Sequence, residues 1–335
     1  IVFPVKDALM YVQDGHRYGE GSAVYHAKNP PFGATFTYYV KEVPKTLKQK
    51  RLKKEKELFK NGDPIPQPAK EELDNEKNEI GPYFVFTIKN DKGTIVRRLY
   101  KKAAKGMGKM TWNLRYMNPS PVKLKKDKFN PTKNADDGMF ALPGDYTVEI
   151  LMVHNDDETH LAGPVKFTAK VLNNTTLPAQ DRKALDTFYK DIADLWRISR
   201  GTQEYLDELQ KKAAYIQQAI QFTNLSTPEM RITADNLSKE LEDVAFIFNG
   251  TPAKASTEEV PPEKVSLNDR LSEAVWTSWG NTSAPTATQL QNVRIIRDEI
   301  PAIQTRIEKV AAGLKTLESQ LDEMKAPYTP GRMPK

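Results

Sequence analysis

Cysteine is absent from all 335 residues, so the chain forms no disulfide, holds no metal through thiolates and has no cysteine nucleophile, while the compartment stays open. No apolar run approaches the length a helix needs to cross a bilayer. Histidine is scarce: His16, His26, His154 and His160 are the full set, and none sits in an HExxH or other close ligand spacing. There is no Gly-x-Ser-x-Gly elbow, no phosphate-binding glycine loop and no dinucleotide fingerprint. Paired carboxylates for glycoside hydrolysis must face each other across a cleft, which spacing along a chain does not disclose. The expectation is therefore no catalytic residue, no metal ligand and no cofactor.

What is present is an uneven distribution of charge. The net charge is +6, but residues 1–175 hold 30 Lys and Arg against 21 Asp and Glu, whereas residues 176–335 hold 20 against 23. Much of the excess lies in Lys41 to Lys60 (KEVPKTLKQKRLKKEKELFK). Basic stretches mixed with Glu are more often solvated helix faces than nucleic-acid contacts, and a single aromatic residue, Phe59, lies among these lysines. Nucleic acid is not an expected partner.

Residues 1–175 carry the period of two that marks half-buried strands. It is seen in Ala34 to Lys41, Tyr83 to Lys89, Thr94 to Tyr100, Lys109 to Tyr116, Tyr146 to Val153 and Val165 to Leu172. Asn90 to Gly93 predicts a tight hairpin and Pro143-Gly144 a second turn. The expected fold is an antiparallel immunoglobulin-like β-sandwich, interrupted at 44–80 by a charged, partly helical surface insertion. A polar segment, Asn118 to Ala141, is expected to wrap the sandwich edge.

Residues 176–326 change period. One apolar stripe runs Leu185, Phe188, Ile192, Leu195, Ser199, Thr202, Leu206, Leu209, Ala213, Ile216, Ile220. Another runs Val293, Ile296, Ile300, Ile303, Ile307, Val310, Leu314, Leu317, Leu321, Met324. Such three-then-four spacing is buried only against other helices. The reading is a long antiparallel helical bundle of three long helices and one short, following a linker at Asn173 to Thr176. Its helices are expected from Pro178 to near Asn224, from Thr227-Pro228 to Asn249, from Ser266 to Trp279, and from Thr286 onward, the last kinked at Pro301. Residues 327–335 form a tail.

Several segments resemble a known family. NDKGTIVRRL, GKMTWNLRY with Gly108 and Trp112, and PGDYTVEI resemble the FlgD-type immunoglobulin-like modules of secreted bacterial proteins. FPVKDALMY, NPPFGATFTYYVKE and SLNDRLSEAV followed by APTATQL look like the C-terminal region of large secreted sortilin-like (VPS10-type) BNR-repeat β-propeller proteins, often labelled BNR-repeat glycosyl hydrolases. The likeness spans essentially the whole chain, and NPPFGA is its most specific motif. It implies an extracytoplasmic location (periplasmic, cell-surface or secreted) and an upstream propeller that would carry any glycosidase chemistry. The opening at Ile1, without an initiator Met or leader-like sequence, likewise reads as a piece of something longer.

Two functions follow as expectations. The first is a non-catalytic interaction and structural module that positions the propeller and docks another envelope protein. The alternative is an accessory module contacting carbohydrate for a glycan-processing glycoside hydrolase. Candidate interface or glycan contacts are Tyr18, Tyr25, Phe32, Trp276 and Trp279, since aromatic faces stack on sugars and anchor interfaces. Three residues apart on a helix, the two tryptophans are expected to pack into the bundle, as are Trp112 and Trp196 into their cores. Asp156-Asp157-Glu158, between His154 and His160, and Asp136-Asp137 read as solvated turns rather than metal sites.

Overall fold

A computed structural model describes residues 1–11, 30–123, 129–155, 157–172, 177–252 and 263–333. The chain is mixed α+β and divides into two compact units, Ile1–Asn118 with Lys123–Pro178, and Pro119–Val122 with Ala179–Lys335. The expected linker at Asn173 to Thr176 lies outside the described residues.

In the first unit, β1 (Ala8–Met10), β3 (Tyr83–Asn90), β4 (Ile95–Lys102), β8 (Gly144–His154) and β9 (Asp157–Val171) form a five-stranded sheet in the order β1-β9-β8-β3-β4. Two ribbons accompany it: β2 (Ala34–Val40) with β5 (Gly106–Trp112), and β6 (Arg115–Met117) with β7 (Asp137–Phe140). The sheet is mixed rather than purely antiparallel, because β1 pairs parallel with β9. The cause lies at the N-terminus. Residues 1–3 first join β2, with Phe3 N donating to Thr37 O at 3.0 Å and Tyr39 N to Ile1 O at 2.9 Å. The chain then leaves β2 and pairs with β9 instead.

The ribbon β2–β5 packs on the five-stranded sheet through aromatic rings. Phe36 meets Phe86 and Phe167, Tyr38 meets Phe84, and Trp112 meets Tyr146 with ring centroids 5.0 Å apart. Each is buried, and a fully buried large apolar side chain contributes about 1.5–3 kcal/mol. The alternation read from the sequence is visible directly: Tyr38 is buried and its neighbour Tyr39 is exposed.

Two expectations need correction here. The single strand expected from Lys109 to Tyr116 breaks at Leu114, whose φ of 57° is left-handed, and Trp112 Nε1 spans the break by donating to Arg115 O at 2.9 Å. Within the segment read as irregular, Asp137–Phe140 is a strand. The same segment does cover an edge. Asn134 Oδ1 accepts from Tyr100 N at 2.6 Å while its Nδ2 donates to Tyr100 O at 3.1 Å, occupying the backbone groups through which β4 would recruit another strand.

The insertion contains α1 (Leu47–Asn61) and α2 (Lys70–Asn78), neither of which buries a residue. Thr46 closes a capping box with Gln49, and Gly62, at a φ of 76°, ends α1 in the left-handed conformation.

The second unit is built from α3 (Arg182–Phe222), α4 (Pro228–Asn249), α5 (Leu267–Trp279) and α6 (Ala287–Glu323), which pack against one another. Every residue of the first stripe is buried; in the second all but Met324 are, and Met324 is half-buried. At 1.5 Å per residue, α3 is about 60 Å long. It starts later than expected, because Asp181, accepting from Lys183 N and Ala184 N, is the cap and Pro178 lies outside the helix. Thr227 and Thr286 cap α4 and α6 as their sequences predict, and α6 runs unbroken through Pro301. Gly313 of α6 lets Leu237 of α4 approach closely, since a Cβ there would lie 2.9 Å from Leu237 Cδ2. Among the described residues no helix is long and apolar enough to cross a membrane.

Candidate functional site

A concavity in the first unit lies where the N-terminal segment meets the loop entering β2. A cleft of about 740 Å³ is walled by Phe3, Leu9, Tyr11, Pro31, Phe32 and Leu172, with Lys6 and Asp7 supplying the charge. Asp7 pairs with Lys170, while Phe3, Leu9 and Leu172 are exposed.

Phe32 is held there by backbone geometry. The next residue, Gly33, has a φ of 106°, and a Cβ on it would fall 2.0 Å from Trp112 O, so only glycine allows this entry into β2. Phe32 then makes an edge contact with Tyr11, 5.1 Å between centroids, and a tilted one with Phe140 at 5.9 Å. Arg115 stacks on Phe140, its guanidinium carbon 3.9 Å from the ring centroid, and donates to Gly138 O. The surface made in this way is apolar and aromatic, suited to contact rather than to proton transfer.

Tyr18 and Tyr25 lie outside the described residues, as do His16 and His26. Trp276 and Trp279 do come together, with ring centroids 5.9 Å apart and planes tilted by 45°, but Trp276 is 63% exposed. This corrects the expectation that it packs inside. The inward face of α5 is Leu267, Leu271, Ala274, Val275 and Ser278, and position 276 falls off that face. Trp279 is half-buried. So is Trp196, whose Nε1 donates to Ser120 Oγ at 2.8 Å, whereas Trp112 is fully buried.

Of the acidic candidates, Asp137 has structural partners. Asp137 receives Arg97 Nη2 at 3.0 Å and Asn113 Nδ2 at 2.6 Å, one on each oxygen. Glu79 accepts from Leu47 N at 2.7 Å and lies 3.3 Å from His154 Nε2, tying the start of α1 to the end of β8. Asp156 lies outside the described residues, and Asp157, Glu158 and His160 are exposed. Among the described residues no group of three or more His, Asp or Glu is placed to hold a metal ion.

Sequence reasoning missed Arg97. It is buried and donates to Tyr116 O, Asp136 O and Ala135 O as well as to Asp137, and its burial lowers the guanidinium pKa from the ordinary value. The signal was available: alternation through TIVRRLY puts Arg97 on the same face as Leu99.

The hairpin of α1 and α2 carries the strongest electrostatic contrast. Seven basic and two acidic residues give α1 a net +5, while α2 has two and four, a net −2. Arg51 bridges them, with Nε and Nη2 on the two oxygens of Glu76 at 2.6 and 2.9 Å and Nη1 on Glu55 at 2.6 Å. Those hydrogen bonds raise the Arg51 pKa and hold the Glu76 carboxyl below the usual carboxylate range.

Compared with family models, curated proteins and solved structures, the chain matches none of them.

Proposed function

We propose that this chain is a non-catalytic interaction and structural module of a secreted or cell-surface protein. In that reading it is the C-terminal region of a sortilin-like BNR-propeller protein, positioning the propeller and docking a protein partner. The cleft at Phe32 carries the proposal. Its walls are mainly aliphatic, aromatic and proline side chains, joined by Thr35 and Thr37, with charge confined to Lys6 and Asp7, a make-up that suits an interface core. The loop that forms it, Pro30 to Gly33, belongs to the motif most specific to the resemblance.

An immunoglobulin-like sandwich is the finer reading of the first unit. Its supports are the order β9-β8-β3-β4 facing the ribbon β2–β5, and the Tyr146 hydroxyl donating to the carbonyl of Leu142 at the start of β8. An antiparallel bundle is the corresponding reading of the second unit. Stripes buried along α3 and α6, about 60 and 55 Å long, suit a spacer or a docking surface.

The test is binding between residues 1–335 and the separately produced upstream propeller, followed calorimetrically. Phe32→Ser with Leu9→Ser should weaken association at least about tenfold, as loss of central apolar anchors does. Unchanged affinity would sink the assignment of the cleft.

One observation favours the alternative of a carbohydrate-contacting accessory module: the exposed face of Trp276 beside Trp279. A glycan array on the fragment separates the two. Binding to a defined glycan that disappears in Trp276→Ala would support the accessory role.

A further inference from the structure

We propose that the outward face of α1 is a docking surface for an acidic protein segment that carries apolar side chains. This surface shares no residue with the cleft at Phe32, and the inference stands whether or not that cleft binds a propeller.

Helices of 15 and 9 residues that bury nothing are marginal by themselves, so α1 and α2 depend on local devices. Those devices all lie on one side or at the ends. Thr46 and Glu79 satisfy the first turn, Gly62 closes the last, and Arg51 clamps Glu76 across a groove that Leu47 and Leu58 also line. Among the described residues, the side chains of Lys48, Leu52, Lys56, Phe59 and Lys60 on the other side of α1 make no hydrogen bond or ion pair within the chain, and only the charge of Lys48 is felt across the hairpin, at Glu76. Lys48, Leu52, Lys56 and Phe59 follow at spacings of four, four and three, which brings them into one line, with Lys60 a turn beyond Lys56. All five are exposed, Leu52 by 47% and Phe59 by 75%.

A solvated helix face needs lysines but gains nothing from an exposed leucine and an exposed phenylalanine in register with them. Lysines flanking two apolar anchors are the complement of an acidic segment with aliphatic side chains. Charge speeds and orients the encounter, and the anchors hold it. The hairpin already shows the chemistry in miniature, since α2 presents Glu76 to Arg51 of α1. A lipid surface fits less well, because membrane-surface helices carry a broad apolar face and this one offers two side chains. Single-stranded nucleic acid would call for several stacking rings, and Phe59 is the only one on α1.

The experiment uses residues 1–335 and fluorescence anisotropy of a labelled synthetic peptide of Glu and Asp with leucine at every fourth position. A second peptide replaces each leucine by serine. The leucine peptide should bind at least about tenfold more tightly than the serine peptide. Leu52→Ser with Phe59→Ser should remove that advantage and leave the weaker binding of the serine peptide unchanged. Lys48→Glu with Lys56→Glu should abolish both. These side chains are exposed, and circular dichroism of each variant checks that the fold is intact. The proposal is overturned if the leucine peptide does not bind, if the two peptides bind alike, or if the variants leave binding unchanged. Tighter association with phosphatidylserine vesicles or duplex DNA than with the leucine peptide would overturn it as well.

Discussion

Tyr38 and Gly108 face each other across the β2–β5 ribbon, and the phenol ring occupies the space in which a side chain at position 108 would begin. An added Cβ would lie 2.4 Å from Tyr38 Cζ. Tyr38 cannot swing aside freely, because Phe84 and Phe86 pack on its other flanks. Gly108→Ala should therefore destabilise the first unit by about 1–3 kcal/mol, the usual range for overpacking a filled core. Urea unfolding of the single variants and of Gly108→Ala with Tyr38→Leu tests the pairing. The alanine should be nearly neutral once the ring is gone, and an equal loss in both backgrounds would mean that the contact is not what excludes a side chain.

Arg97 supports an argument of the opposite kind, since it holds polar groups instead of filling space. Arg97→Met should lower stability by about 1–3 kcal/mol, because it leaves three carbonyls without their donor and Asp137, itself partly exposed, without its ion-pair partner. Arg97→Lys should rescue little of this, as an ammonium cannot reproduce the planar fork. A lysine variant as stable as the parent would show that charge alone suffices.

These two residues illustrate what was legible in the sequence and what was not. The stripes of α3 and α6 were readable residue by residue, because a helix buries one face and the period records it. Strands β2, β3, β4 and β8 were readable for the same reason at a period of two. What escaped were features that no local period encodes. β1 and β7 are short strands defined by their partners, and Leu114 adopts a left-handed conformation that a leucine does not announce. Trp276 was misplaced because spacing relative to Trp279 shows a shared side, whereas only the neighbours of α5 decide whether that side faces inward. At the candidate site, NPPFG stood out as a shaped loop. The contribution of Phe3, Leu9 and Leu172 to the same cleft depends on chain segments distant in sequence.

Acid should loosen the link between α4 and α6. Arg306 donates to Glu240 at 2.6 Å, and that hydrogen bond holds the Glu240 carboxyl below the usual carboxylate range. A depressed folded value means that the contribution is complete above the unfolded pKa of about 4.3 and is lost as pH falls through the folded value. Glu240→Gln should be less stable than the parent at neutral pH, with the gap closing in acid. A gap that widens on acidification would contradict the assigned direction. Both side chains are partly exposed, so the difference should also shrink in high salt.

The buried stripes should dominate the stability of the second unit. Leu206 and Leu314 are almost wholly buried, and replacing either by Ala should lower stability by about 2–5 kcal/mol through lost transfer energy and a residual cavity. Lys211 is exposed on α3, and Lys211→Ala should stay within about 0.5 kcal/mol. Equal, small effects at all three positions would mean that the stripes are not the packed interface.

Trp276 gives a direct optical test of its placement. The chain has four tryptophans, at 112, 196, 276 and 279, and their exposures differ: Trp112 is fully buried, Trp196 and Trp279 are half-buried and Trp276 is exposed. Iodide quenches by collision, so the quenchable fraction of the fluorescence should belong mainly to Trp276. Trp276→Phe should remove most of that fraction and leave the unfolding free energy within about 0.5 kcal/mol, the ordinary range for a surface change. Trp112→Phe should do the reverse, lowering stability while leaving the quenchable fraction in place. If Trp276→Phe instead destabilised the second unit by several kcal/mol, its ring would have to be part of the core. The exposed aromatic face on which the carbohydrate-contacting alternative rests would then not exist.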